Sequence, residues 1–215
     1  KVLVMEPPNQ QLPIDTARPN GALGPAYLVG ALRTAGIEAD YYDGTVGWPG
    51  DSLEETFYHR TEQSNGTIRY GASLERLAET ISRYDVVATS SIFTAQTRMH
   101  FEIAALVEWI NRDFGKQILL ISGGVNACAL EEHFLRAGFD GVVRGDGEGA
   151  IVDIVKLFEA NPDRIPSALR QPVQMEEIPL PAIDAFPLET YRKLGIPHAG
   201  LLPPDVMFSS IQTSR

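Results

Sequence analysis

Cysteine is nearly absent from this 215-residue chain, which contains only Cys128. A single cysteine excludes an internal disulfide, and it excludes a zinc or iron–sulfur site built from the cysteines of this chain alone. Apolar runs are short as well, and none approaches the roughly 18 residues that predict a membrane-spanning helix. Both absences are compatible with a reducing cytoplasm, which is the location that we expect.

Positive charge is also scarce, because 18 lysine and arginine residues stand against 28 aspartate and glutamate residues, for a net charge of −10. Nucleic acids and anionic membranes are both bound through lysine and arginine. The composition therefore argues against both as partners, and solubility is a sufficient explanation of the acidity. Hydrophobic residues make up 44% of the chain, as in an ordinary globular protein that buries its own core.

The rest of the pattern alternates short apolar runs with amphipathic segments. The apolar runs predict strands at residues 1–6, 37–43, 85–92, 117–122 and 139–143. The amphipathic segments predict helices at residues 25–35, 74–84, 97–114, 130–137 and 150–160. Five βα units predict an α/β fold, namely a flavodoxin-like (Rossmann-like), doubly wound parallel sheet of five strands in the order 2-1-3-4-5. In that order a ligand is expected at the switch point between the first and third strands.

Three segments fall outside this alternation. Residues 47–72 are polar and rich in glycine, and they predict an insertion with little regular structure. Residues 161–205 contain nine of the fifteen prolines, which predicts a linker that wraps part of the domain. Residues 206–211 predict a strand, and we expect a further domain to start at 206–215. We therefore expect a ligand-binding domain at 1–160, followed by the linker and the start of a truncated second domain.

Small, polar and glycine residues follow four of the predicted strands, where parallel strands end at one edge of the sheet. They comprise Pro7-Pro8-Asn9, Asn20-Gly21-Ala22-Leu23-Gly24, Thr89-Ser90-Ser91-Ile92-Phe93-Thr94, Gly123-Gly124-Val125-Asn126 and Arg144-Gly145-Asp146-Gly147-Glu148. Each loop alone is explained by turn chemistry. Four such loops on one edge favour a site where a bulky ligand approaches the backbone closely.

In this order and spacing, the five motifs resemble the N-terminal cobalamin-binding domain of cobalamin-dependent radical SAM enzymes. The resemblance covers roughly residues 1–160 and extends to Glu177-Ile178-Pro179-Leu180-Pro181, which resembles the family's connecting segment, and to Ser209 through Arg215, which resembles the first strand of the family's radical SAM barrel. It implies that the displaced nucleotide tail of cobalamin threads between the first and third strands. It also implies cofactor contacts from Pro8, Asn9, Gly21, Leu23, Gly24, Ser90, Ser91, Phe93, Thr94, Gly123, Gly124, Asn126, Gly145, Gly147 and Glu148.

One departure from other cobalamin proteins bears on the metal. The cobalamin domains of mutases and methionine synthase carry Asp-x-His-x-x-Gly after the first strand, and its histidine coordinates cobalt. That motif is missing here, and none of the four histidines (His59, His100, His133 and His198) lies in the loop after the first strand. Cobalamin is therefore expected to bind base-off without a histidine ligand. The sequence does not identify the lower or the upper ligand of cobalt. His100 and His133 lie within predicted helices, where a lone histidine is most often a structural side chain.

The resemblance implies a parent enzyme that also uses a [4Fe–4S] cluster and S-adenosylmethionine. Many relatives transfer a methyl group from cobalamin to an unactivated centre, and others cyclise or rearrange their substrate. The cluster cysteines are absent from this chain, so we expect it to bind cobalamin and to catalyse nothing alone. Its partners would be the radical SAM domain in cis and the small-molecule substrate of the parent.

Other domain classes with a similar fold require sequence motifs that this chain lacks. A receiver domain needs an acceptor aspartate at the end of the third strand, where this chain has Ser90-Ser91-Ile92. An FMN site needs a hydroxyl-rich phosphate loop after the first strand, and a dinucleotide site needs Gly-x-Gly-x-x-Gly there. Neither is present after Glu6. A flavodoxin-like interaction domain with a degenerate, empty cofactor site remains the alternative.

Overall fold

A six-stranded parallel sheet forms the centre of the computed structural model, which describes residues 1–162, 168–171 and 178–195. Its strands lie in the order β3-β1-β6-β7-β8-β9. They span Val2–Glu6 (β1), Ala39–Asp43 (β3), Val86–Ser90 (β6), Leu119–Gly123 (β7), Gly141–Gly145 (β8) and Ala168–Gln171 (β9). The predicted α/β class and the predicted order of the first five strands are confirmed, and β9 is an addition.

Helices cover both faces of this sheet, because successive side chains of a strand point to opposite sides. Val2 and Val4 of β1 belong to one core cluster, and Leu3 and Met5 belong to the other. Helices α1 (Leu23–Thr34) and α6 (Gly147–Ala160) contribute to the first cluster. Helices α2 (Leu74–Ile81), α3 (Thr97–Phe114) and α5 (Glu131–Arg136) contribute to the second. The short helix α4 (Val125–Ala129) precedes α5 and was not predicted.

A second, antiparallel sheet occupies part of the predicted insertion. Its strands lie in the order β2-β5-β4 and span Asn9–Gln11 (β2), Arg60–Glu62 (β4) and Ile68–Tyr70 (β5). Within 47–72 only β4 and β5 are regular strands, which agrees with the prediction of little regular structure there, but the sheet itself was not predicted. Its strands are only three residues long, and β5 pairs with β2, a distant segment that was predicted as a loop. Local sequence carries no signal for such a pairing. The buried Arg69 also anchors β5 to α3 through an ion pair with Glu102 at 2.9 Å.

The proline-rich stretch is structured over 178–195, and its first part lies along α1. The backbone N–H of Ala182 donates to the carbonyl of Ala26 at 2.9 Å. A side chain at Gly30 would lie 2.3 Å from the carbonyl oxygen of Leu180, so only glycine lets the two backbones approach. Helix α7 (Leu188–Leu194) follows. The expected strand at 206–211 lies outside the described residues.

The strand β9 lies within the segment that was predicted as a linker. It pairs in parallel with β8, with Val142 opposite Ala168 and Gly145 opposite Gln171. The strand is only four residues long, and prolines lie on both sides of it in the sequence, so it shows no hydrophobic periodicity that would predict a strand. Among the described residues, no helix combines the length and apolar character that a bilayer crossing requires.

Candidate ligand-binding site

Two cavities open at the edge where the parallel strands end. The larger cavity has a volume of about 560 Å³ and is formed by the loops after β1 and β6, from Glu6 to Leu12 and from Ser90 to Gln96. Tyr70 of β5 and His100 of α3 also line it. The extra antiparallel sheet therefore supplies one wall of the cavity.

The second cavity, which we call the slot, has a volume of about 200 Å³ and lies between α1 and α6. Glycine and small side chains dominate its walls. They include Gly24, Ala88, Thr89, Ser90, Ser122, Gly123, Gly124, Gly145 and Gly147, together with Leu28, Ile121, Val143, Asp146, Glu148 and Ile151. Ser90 lines both cavities, so the slot and the larger cavity adjoin at the end of β6.

The slot lies one strand away from the position expected for it. The sequence placed it between the first and third strands, which are β1 and β6, whereas its floor is formed by β6, β7 and β8. The space at the end of β1 belongs to the larger cavity, because Glu6, Pro7 and Pro8 line that cavity. Strand order alone locates the switch point but does not reveal where the covering helices separate.

The predicted contact residues divide into three groups. Those in the slot are Gly24, Ser90, Gly123, Gly124, Gly145, Gly147 and Glu148. Those in the larger cavity are Pro8, Asn9, Ser90 and Phe93. Neither cavity is lined by Gly21, Leu23, Ser91, Thr94 or Asn126. Gly21 instead packs beneath the ring of Tyr191, Leu23 packs against the core, and Thr94 begins a 3-10 turn.

Ser91 and Asn126 form a bracket that holds two site loops together. The Asn126 side-chain N–H donates to the hydroxyl of Ser91 at 2.8 Å, and its backbone N–H donates to the carbonyl of Ser91 at 3.1 Å. Gly124 lies against the same carbonyl with φ +90°, and a Cβ there would lie 2.5 Å from that oxygen. The bracket fixes the end of β6 against the loop after β7.

A matched pair of glycine substitutions tests this bracket. Gly124→Ala is expected to destabilise the fold by about 2–3 kcal/mol, because it combines a positive φ with a backbone clash. Gly123→Ala is expected to cost less than about 1 kcal/mol, because its Cβ would lie 3.6 Å from the carbonyl of Val143, an ordinary contact. Urea unfolding of both variants measures the difference. Equal losses would contradict the role given to the bracket.

The rim of the larger cavity is apolar and open to solvent. Phe93 is 69% exposed and Ile92 is 44% exposed, and both line the cavity. Leu12 on the opposite loop is 55% exposed. Exposed apolar side chains grouped at a cavity mouth are typical of a surface that a ligand or partner covers.

Below this rim, a buried chain of hydrogen bonds runs from His100 to the ends of β6 and β7. His100 lines the larger cavity, and its Nδ1 lies 3.1 Å from the hydroxyl of Thr89. That hydroxyl donates to the hydroxyl of Ser122 at 3.0 Å, and both hydroxyl residues line the slot. Burial lowers the pKa of His100 to about 3, so its imidazole is neutral throughout the neutral range.

Buried His100 predicts a pH dependence of stability. The pKa of His100 is lower in the folded protein than the ordinary 6.5. Its contribution to the free energy of unfolding is therefore complete above pH 6.5 and is lost as the pH falls toward 3. We expect the free energy of unfolding to fall by about 1 kcal/mol per pH unit through this group. Urea unfolding from pH 7 to 4 should show a shallower slope for His100→Gln, which retains a polar group toward Thr89. The same slope in both proteins would contradict the prediction.

Sequence reasoning missed two polar groups of the larger cavity. Glu6 is the last residue of β1 and was treated only as a strand end, although it lines the cavity while 6% exposed. Gln96 also lines the cavity, and its side-chain amide donates to the carbonyl of Gln10 at 2.8 Å and accepts from the Gln10 N–H at 3.0 Å. A charged residue at the end of an otherwise apolar strand was the signal for Glu6.

The sequence matches no family model, and it matches no curated protein. The residues of the two cavities offer backbone groups, hydroxyls and side-chain amides, and their linings include four acidic residues (Glu6, Asp15, Asp146 and Glu148) and one basic residue, Arg18. Arg144, which follows β8, pairs with Glu131 of α5. Such a site suits a ligand with a bulky, amide-bearing body and a narrow extension.

Proposed function

We propose that this chain binds cobalamin base-off, without a histidine ligand, as the cofactor domain of a radical SAM enzyme. The observation that carries the proposal is the slot, a narrow cleft with small walls that adjoins a larger cavity at Ser90. This pair of cavities suits a ligand that has a broad ring and a nucleotide tail that can extend away from the ring. The motif resemblance supplies the identity of that ligand.

The residues present fit the cofactor in two respects. Glycines border the slot, and at Gly24 and Gly145 an added Cβ would meet no protein atom within 4 Å, so there is room beside the backbone. The hydroxyl of Ser90 provides a polar partner for a nucleotide. The ring would cover the larger cavity, and the apolar side chains of Phe93 and Ile92 would exclude water from its edge.

The surroundings of His100 support a cobalamin site without a histidine ligand, because this side chain is not free to coordinate cobalt. This side chain is 2% exposed, and its Nδ1 is engaged with Thr89 inside the hydrogen-bonded chain. When bound, cobalamin supplies a cobalt centre that can carry a methyl group. This chain's own residues bind the ring, hold the tail and orient the exposed face toward the second domain. In the parent, the [4Fe–4S] cluster and S-adenosylmethionine would belong to that domain, which acts on a small molecule in the cytoplasm.

Retention of hydroxocobalamin tests the proposal. The purified chain is mixed with hydroxocobalamin in the dark and desalted, and its visible spectrum is recorded; we expect a coloured protein with the spectrum of base-off corrinoid. FMN and NAD serve as parallel ligands, because the fold class also accommodates flavins and dinucleotides. A colourless protein at high corrinoid concentration would contradict cobalamin binding. That result would favour the interaction domain, for which the exposed rim around Phe93 would be the contact surface.

A further inference from the structure

Glu6 places a nearly enclosed carboxyl group in the wall of the larger cavity. It ends β1, is 6% exposed and lines the cavity together with Pro7 and Pro8. Its side chain has one hydrogen-bond partner among the described residues, the hydroxyl of Tyr41 at a distance of 3.5 Å. A buried carboxyl group usually gathers several donors, because each unmet hydrogen bond costs free energy. Glu6 therefore retains hydrogen-bonding capacity that faces the cavity.

Electrostatics favour the neutral form of this carboxyl group. Among the ion pairs of the described residues, none includes Glu6. Asp43, its register partner on β3, is fully buried and adds like charge. Burial first, and the charge of Asp43 second, raise the pKa of Glu6 well above its ordinary value. A protonated carboxyl group both donates and accepts a hydrogen bond.

The groups around Glu6 leave this conclusion unchanged. Tyr41 and Asp43 face it from β3, and Tyr191 faces it from α7. Across the cavity lie Asp15, Arg18 and His100, and burial keeps His100 uncharged. The wall of the cavity near Glu6 therefore presents a carboxyl group that favours its neutral form and a neutral imidazole, and elsewhere the cavity is lined by one acidic and one basic side chain, Asp15 and Arg18. Such a wall favours an uncharged, strongly hydrogen-bonding group over a phosphate or a carboxylate.

We propose that Glu6 binds a carboxamide of the ligand in the larger cavity, donating its carboxyl O–H to the amide carbonyl and accepting from the amide N–H. The inference rests on the proposed function, because primary carboxamides form the periphery of a corrin ring. It adds a specificity-determining residue that the motif comparison did not include. It also predicts discrimination against corrinoids in which an amide has been hydrolysed to a carboxylate.

Two substitutions of one residue provide the test. Glu6→Gln keeps the shape and supplies a neutral donor and acceptor, whereas Glu6→Ala removes both. Methylcobalamin is the probe, because its upper ligand does not titrate, and its dissociation constant is measured by titration from pH 6 to 9 in dim light. We expect Glu6→Ala to weaken binding about tenfold, the loss of one good hydrogen bond, and Glu6→Gln to stay within about threefold of the native chain. Thermal unfolding of each protein reports whether it is folded.

The pH profile separates a binding role from a structural one. Binding by the native chain should weaken as rising pH ionises Glu6, a change that Glu6→Gln cannot show. If Glu6→Ala does not fold, the comparison of the native chain with Glu6→Gln remains decisive. Parallel pH profiles for these two proteins would overturn the inference while leaving cobalamin binding intact. A native chain that binds neither methylcobalamin nor cobinamide would overturn both the inference and the proposed function.

Discussion

Replacing Gly123 with leucine is expected to abolish retention of cobalamin while leaving the fold intact. Gly123 ends β7 and lies in the wall of the slot, and a Cβ there would make only ordinary contacts with Val143. The rest of a leucine side chain would fill the space that the nucleotide tail requires. Loss of the tail's contacts is expected to weaken binding by at least about 100-fold, or roughly 3 kcal/mol. Spectroscopic titration with methylcobalamin measures the effect.

Two controls isolate the slot from the rest of the site. Gly123→Ala adds one methyl group and should weaken binding much less than leucine does. Cobinamide lacks the nucleotide tail, so its affinity should be nearly the same for the native chain and for Gly123→Leu. An unchanged affinity of Gly123→Leu for methylcobalamin would show that no ligand segment enters the slot. A parallel loss of cobinamide binding would show that the substitution disturbs more than the slot.

The part of the fold that sequence predicts is the part whose signal is local. The strands β1, β6 and β7 are apolar runs buried on both faces, and such runs are visible without knowledge of their neighbours. Glycines at the ends of strands likewise predict the edge of the sheet where a ligand approaches. This is why Gly123, Gly124 and Gly145 were identified and do line the slot.

The missed features depend on contacts between distant segments. The strand β5 exists because it pairs with β2, and β9 exists because it pairs with β8. Ser91 and Asn126 were expected to contact a cofactor because of their positions after strands, and in the structure they bond to each other. The environment of Glu6 depends on Asp43, which lies on a different strand and is the neighbour that adds like charge. None of these relations has a periodic signature in the sequence.

Asp43 connects the loops of the site to the C-terminal segment. Its fully buried carboxylate accepts hydrogen bonds from the Thr45 hydroxyl at 2.6 Å and the Thr45 N–H at 2.8 Å. It also accepts from the backbone and side chain of Asn20 at 3.1 and 3.2 Å, and from the Tyr191 hydroxyl at 2.7 Å. Asn20 in turn donates to the carbonyl of Pro7 in the larger cavity. One side chain therefore ties the loop before α1 to helix α7.

Substitution of this residue should consequently have the largest effect on stability. Asp43→Ala would leave five donors without their acceptor, and we expect it to lower the free energy of unfolding by about 3–5 kcal/mol. Tyr191→Phe removes one of the five bonds and should cost about 1 kcal/mol, and Asp43→Asn should fall between the two. Urea unfolding gives these values, and amide hydrogen exchange of residues 182–191 reports whether the segment leaves α1. If Asp43→Ala were no less stable than Tyr191→Phe, Asp43 would hold only α7, and the loop at Asn20 would owe its position to other contacts.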